Sequence, residues 1–107
     1  GQTGWMQGYK HGFIFDATPN DFVSGELERV ILECVDQSNP DLILLEGQSS
    51  LRNPSGPGGS EFILSGNAKS VIIVHPIGRK YFVDLEEFEY EIPDLIDEIK
   101  LIESFFM

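Results

Sequence analysis

The sequence has few basic residues, one cysteine and no long apolar run. Its 107 residues include seven Lys and Arg against 18 Asp and Glu, for a formal net charge of −11. Nucleic acid is therefore not an expected partner, because its phosphates are bound by clustered Lys and Arg. The single cysteine, Cys34, excludes an intramolecular disulfide framework and a Cys-rich zinc site, and it fits a reducing, cytoplasmic compartment. No apolar run approaches the roughly 20 residues of a membrane span, so we expect no membrane partner.

Two phosphate-binding signatures are also missing. The sequence contains neither G-x-x-x-x-G-K-[ST] nor G-x-G-x-x-G. We therefore do not expect the chain by itself to cradle a triphosphate in the manner of a P-loop. The first twelve residues, GQTGWMQGYKHG, are rich in glycine and start without methionine. This loop-like start predicts that the chain is a fragment of a longer protein.

The most informative stretch is residues 41–51, DLILLEGQSSL. Its continuous apolar run, bounded by Pro40 and Gly47, predicts a strand from Asp41 to Glu46 that is buried on both faces. Two further short apolar runs, at 13–15 and 70–75, predict strands of the same kind. These three segments form the framework of the predicted fold.

Helical patterns separate the predicted strands. Thr18 followed by Pro19 predicts a helix start, and apolar residues then recur at helical spacing until Ser38. A long loop at 47–59 is rich in Ser, Gly and Pro, and a short helix is predicted to begin at Ser60. A last helix is predicted from Pro93 onwards. The order of these elements predicts one α/β domain over residues 1–107, with a three-layer parallel sheet.

Each predicted strand ends in a polar side chain, namely Asp16, Glu46 and His75. Because the carboxyl ends of parallel strands meet at one edge of a sheet, we expect these side chains to lie close together. Asp16 and Glu46 suit a Mg²⁺ held partly through water, or a general acid and base pair. His75 could serve as a base or a ligand. The alternatives are that Asp16 caps the following helix, that Glu46 is solvated and that His75 is structural.

Arg79 and Lys80 form the only dense positive patch in an acidic chain. Such a pair is able to hold a phosphate or a carboxylate. An equally open alternative is that the pair balances the acidic residues of the 84–91 stretch. In the long loop, Gln48 and Ser49 offer side-chain and backbone donors to an anion.

Four segments in order resemble one known family. GQTGWMQG, FDATPNDFVSGELE, DLILLEGQSSL and HPIGRKYF are similar to the carboxyl-terminal domain of a bacterial and archaeal family long described as of unknown function. Its named type is DgcN, a D-glutamate N-acetyltransferase. The resemblance covers nearly the whole chain and implies a P-loop NTPase-like domain similar to dethiobiotin synthetase. In this family the phosphate loop lies upstream of GQTG, so the resemblance implies a fragment that lacks this loop and is inactive alone.

The resemblance also implies roles for individual residues. Asp16 and Glu46 are similar to the two acidic metal positions of dethiobiotin-synthetase-like sites, and Gln2 and Thr3 to part of the loop beside the phosphates. The implied reaction is acetyl transfer from acetyl-CoA to a small amino acid of the D-glutamate type. The implied partners are that substrate and an upstream Rossmann-like domain, and a homo-oligomer is a further expectation.

Two other functions stay open at this point. The first is a regulatory module that binds ATP and Mg²⁺ without chemistry of its own. The second is a purely structural or oligomerising domain, which predicts that changes at Asp16, Glu46 and Arg79 have no effect on function.

Overall fold

The computed structural model describes residues 4, 6–47, 51–54 and 58–106. Its main helices are α1 (Val23–Ser38), α2 (Gly58–Ser65) and α3 (Leu95–Leu101), and α3 continues as a π-helical turn at Ile102–Phe106. Short 3₁₀ turns lie at Phe15–Ala17, Asn20–Phe22 and Glu86–Phe88. The architecture of the described residues is therefore helical.

The predicted three-layer parallel sheet is wrong. The described residues contain no β-strand, and the β-pairing found among them is a single antiparallel bridge between Tyr81 and Glu91. The first predicted strand runs into the 3₁₀ turn at Phe15–Ala17. The segments 42–47 and 70–76 have neither helix nor strand. Asp16, Glu46 and His75 consequently do not lie at the edge of a parallel sheet.

The two long apolar runs are also not buried on both faces. Leu42 and Leu44 are 74% and 79% exposed, and Ile72 and Val74 are 86% and 91% exposed, whereas the residues that alternate with them are partly buried. A sheet needs neighbouring strands about 4.8 Å apart that exchange backbone hydrogen bonds. An apolar run describes the burial preference of one segment and does not supply such a neighbour, which is why the prediction failed.

Helix α1 starts later than predicted and ends where predicted. The hydroxyl of Thr18, the predicted N-cap, donates to the carbonyl oxygen of Ile14 at 2.8 Å, and the helix begins at Val23. At the other end, Asn39 adopts a left-handed conformation with φ of 43°, and its N–H donates to the carbonyl oxygen of Val35. A left-handed residue after the last turn is a common way to end a helix.

The main core lies along one face of α1. Val23, Leu27 and Val30 are spaced by four and three residues, so they share this face, and they are buried against Phe13. Partly buried residues pack around this cluster: Phe15, Ile31, Leu45 and Phe62. The rings of Phe13, Phe15 and Phe62 stack in sequence, with centroids 6.5 and 5.6 Å apart.

The predicted positions of the two shorter helices are confirmed. Helix α2 begins two residues before Ser60, and Gly66 and Asn67 follow its last turn with N–H groups that donate to helix carbonyls. Helix α3 is capped by Asp94, whose Oδ1 accepts the N–H of Ile96 at 2.9 Å. This cap satisfies a donor that a helix start otherwise leaves unpaired.

Candidate functional site

The ring of Phe62 connects the two segments that carry the predicted acidic residues. Phe15, which precedes Asp16, stacks on this ring. Gly47, which follows Glu46, lies so close to it that a Cβ added at Gly47 would be 3.0 Å from Phe62 Cδ2. Both Asp16 and Glu46 are exposed. The packing of Phe62 therefore brings together the two segments that carry these solvent-accessible carboxylates.

Glu46 also contacts the glycine-rich start of the chain. A Cβ added at Gly4 would lie 3.5 Å from Glu46 Oε2 and 3.0 Å from Tyr9 Cδ2. Gly4 is buried, and its carbonyl oxygen accepts the N–H groups of Gln7 and Tyr9, both at 3.1 Å. The absence of a side chain at Gly4 thus leaves room for the Tyr9 ring, and the turn lies within contact distance of the Glu46 carboxylate.

The chemistry of Asp16 and Glu46 fits a hard cation that keeps most of its water. Carboxylate oxygens are the ligands that Mg²⁺ prefers, and one or two protein carboxylates are enough for it. Within residues 4, 6–47, 51–54 and 58–106, no group of three or more His, Cys, Asp or Glu side chains is arranged to hold a metal. An all-protein metal cage is therefore not found in this part of the chain.

A tight turn brings His75 and Arg79 to the same pocket. The N–H of Arg79 donates to the carbonyl oxygen of Pro76 at 3.2 Å, and Gly78 has φ of 86°. A type II β-turn requires a positive φ at its third residue, which glycine adopts without a steric penalty. Both His75 and Arg79 line a pocket of about 250 Å³.

The rest of this pocket comes from distant parts of the chain. Asn53 from the long loop and Glu98 from α3 add polar groups, and Phe82 contributes a buried aromatic wall. The other residues that line it are mainly apolar: Ile73, Val74, Pro76, Val83, Ile92, Pro93 and Leu95. The pocket is open to solvent, since its lining residue Val74 is largely exposed, and it combines an apolar surface with a few polar groups as small-molecule sites do. Sequence reasoning missed Asn53 and Glu98, because no local pattern links positions so far apart.

Lys80 does not share the environment of Arg79. Its Nζ lies 3.6 Å from Oε1 of Glu91 and 5.2 Å from the centre of the Tyr81 ring, and Lys80 is not among the residues that line the pocket. Hydrogen bonding to Tyr81 and, after it, the negative charge of Glu91 raise the pKa of Lys80. The two cations of the predicted positive patch therefore have different surroundings.

The predicted site residues fall into separate groups. His75 and Arg79 line the pocket, whereas Asp16 and Glu46 belong to the two segments that pack against Phe62 and do not line it. The remaining candidates, Gln2, Thr3, Gln48 and Ser49, lie outside the described residues. The roles of all these residues stay predictions.

Comparison with protein families identifies the family of the chain. The family described as "Domain of unknown function (DUF1611_C) P-loop domain" matches residues 1–106. The chain belongs to this family. No curated protein and no solved structure matches the chain.

A search of the described helices for a membrane span was negative. None of these helices combines the length and the apolar character needed to cross a bilayer.

Proposed function

We propose that the chain is part of an N-acetyltransferase that transfers an acetyl group from acetyl-CoA to the amino group of a small acidic amino acid of the D-glutamate type. The resemblance of four ordered segments to the DgcN type and the membership in the DUF1611_C P-loop family support this proposal. The observation that carries it is the turn that brings His75 and Arg79 into one pocket.

The size of the pocket favours the amino acid as its occupant. Sites for drug-sized ligands span about 300–1,000 Å³, and this pocket of about 250 Å³ lies just below that range. It suits a small metabolite better than a nucleotide or CoA. The acyl donor therefore extends beyond the pocket, and only its acetyl end needs to reach it.

Arg79 binds the substrate, and His75 acts as the general base. The guanidinium of Arg79 binds a carboxylate of the substrate through charge-assisted hydrogen bonds. The imidazole of His75 accepts a proton from the substrate ammonium group, which frees the amine lone pair. The amine nitrogen then attacks the thioester carbonyl, the C–S bond breaks, and CoA leaves as a thiolate that takes up a proton.

The acidic pair and the loops are assigned to the acyl donor. Asp16 and Glu46 would hold a Mg²⁺, which neutralises phosphate charge on acetyl-CoA or ATP. Gln2, Thr3, Gln48 and Ser49 would supply further donors to these phosphates, and Lys80 would add positive charge.

A matched pair of neighbouring variants in the intact protein tests the proposal. Loss of a hydrogen bond to a charged group costs about 1.5–3 kcal/mol, so Arg79→Gln should raise KM for D-glutamate roughly 10- to 150-fold. Lys80→Gln removes the adjacent cation outside the pocket and should leave this KM within about twofold. His75→Gln should lower kcat by about 10²–10⁴. Release of free CoA thiol, followed with a thiol reagent, gives both constants. Equal effects of the Arg79 and Lys80 changes on KM would contradict the proposal.

A second candidate is a module that binds ATP and Mg²⁺ without chemistry of its own, because the family is described as a P-loop domain. Calorimetry separates the two functions. Binding of ATP with Mg²⁺, weakened by Glu46→Gln and accompanied by no acetylated product, would favour the module.

A further inference from the structure

An ion pair lies at the wall of the His75–Arg79 pocket. Nε of Arg52 is 2.5 Å from Oε1 of Glu98, although the two residues are 46 positions apart. The side chain of Glu98 is only 14% exposed and lines the pocket, whereas that of Arg52 is 45% exposed and does not line it. Arg52 therefore neutralises, from outside, a carboxylate at the pocket wall.

The charge that the pocket presents to a ligand depends on this pair. Arg79 and Glu98 are its oppositely charged lining residues, and His75 is a third titratable group. An unpaired Glu98 would offset the positive charge of Arg79 and repel an anionic ligand. At an effective dielectric constant of about 20, two charges several ångströms apart interact strongly enough to change affinity roughly tenfold.

We propose that Arg52 determines the specificity of the pocket for carboxylate ligands by holding Glu98 in an ion pair. With Glu98 paired, the charge of Arg79 dominates and a carboxylate binds. The inference rests on the proposed function, because it takes the pocket as the substrate site. It adds a specificity-determining residue outside the pocket itself.

Arg52 has a second possible effect, which the experiment must separate from the first. The ion pair also ties the loop segment 51–54, which includes the pocket residue Asn53, to helix α3. A variant without Arg52 loses both the charge and the tether. A double variant without Glu98 also lacks the tether but no longer has the unpaired carboxylate, so only the charge effect predicts recovery.

Binding of glutarate, a dicarboxylate probe, to the intact protein tests the inference by calorimetry, with uncharged glutaramide as the comparison ligand. The wild type should prefer glutarate, and Arg79→Gln should abolish that preference. Arg52→Gln should weaken glutarate binding about tenfold, Arg52→Lys should retain most of it, and the double variant Arg52→Gln with Glu98→Gln should restore it to within about twofold. Arg29→Gln, which breaks exposed ion pairs with Glu26 and Glu33 on α1, should have no effect.

The possible outcomes either support or overturn the role of Arg52. Failure of the double variant to recover glutarate binding, while its thermal unfolding matches that of the wild type, would overturn the charge role of Arg52. Equal binding of glutarate and glutaramide by the wild type would overturn it as well. The expected pattern without acetylated product would leave the inference standing and refute the proposed function. Acetyl transfer by the wild type together with unchanged glutarate binding by the Arg52→Gln variant would support the proposed function and overturn the inference.

Discussion

At the scale of single residues, three glycines occupy positions where a side chain would be strained or crowded. Gly78 has the positive φ of the turn between His75 and Arg79, and Gly4 leaves space for the Tyr9 ring. Gly66 has the closest surroundings of the three, since a Cβ there would lie 2.5 Å from the carbonyl oxygen of Phe62 and would also clash with Leu45 Cδ1. A side chain at such a position forces the neighbouring backbone to move.

Two glycine variants, one at a crowded position and one at an open position, test this effect of crowding on stability. Gly66→Ala should lower the free energy of unfolding by about 1–3 kcal/mol, because the backbone oxygen of Phe62 cannot move away as a flexible side chain can. Gly25→Ala is the matched control inside α1, where a Cβ meets no atom within 4 Å. It should raise the free energy of unfolding by about 0.5–1 kcal/mol through its helix propensity. Urea unfolding measures both values, and a neutral Gly66→Ala would contradict the packing described above.

At the scale of elements, α1 is the best example of agreement between pattern and structure. The spacing of Val23, Leu27 and Val30 predicted one apolar face, and these three residues are buried. A neighbouring, more exposed face carries the ion pairs of Arg29 with Glu26 and Glu33. The hydrogen bond from Arg29 lowers the pKa of Glu26, and all three side chains remain solvent-accessible. Such exposed pairs contribute little to stability, so the apolar face holds the helix in place.

Variants of two leucines on α1 compare the stability contributed by its buried face with that contributed by its exposed face. Leu27→Ala should destabilise the protein by about 2–5 kcal/mol, because it leaves a cavity in the core beneath the helix. Leu32 lies on the same helix and is 59% exposed, so Leu32→Ala should change stability by less than about 0.5 kcal/mol. Chemical unfolding followed by circular dichroism gives the comparison. Similar losses for both variants would mean that α1 packs on a different face.

The apolar runs show where element-level prediction failed. The 41–46 and 70–75 runs led to the prediction of parallel strands, and the described residues contain none. A helix makes its backbone hydrogen bonds within one segment, so its pattern is readable locally. A strand needs hydrogen-bond partners elsewhere in the chain, and the sequence of the strand alone does not identify those partners.

At the scale of the whole molecule, the net charge of −11 is the dominant electrostatic feature. Self-repulsion of like charges destabilises a compact chain, and salt screens it. Arg52 with Glu98 is an ion pair that connects distant parts of the described structure, but Asp and Glu outnumber Lys and Arg by 18 to 7 in the sequence. Added salt should therefore stabilise the fold, because it screens more repulsion between acidic side chains than attraction within ion pairs.

A salt titration checks this balance. Raising NaCl from about 0.01 M to 0.5 M shortens the Debye length from about 30 Å to below 8 Å. The midpoint of thermal unfolding should rise by a few degrees as repulsion is screened. The Arg52→Gln variant should show a rise at least as large, since it has lost an attractive pair. A midpoint that falls with added salt would show that attractive pairs dominate.

The family was recognisable from sequence motifs along the whole chain. Sequence alone also determined local features of this protein: the buried face of α1, the end of α1 before Pro40 and the positions of the two shorter helices. These features depend on residues within a few positions of one another. Only the tertiary structure decided that the apolar runs lack strand partners and that Arg79 and Lys80 have different neighbours. It alone brought Arg52 to Glu98 beside His75, because contacts between residues far apart in the chain depend on how the segments pack.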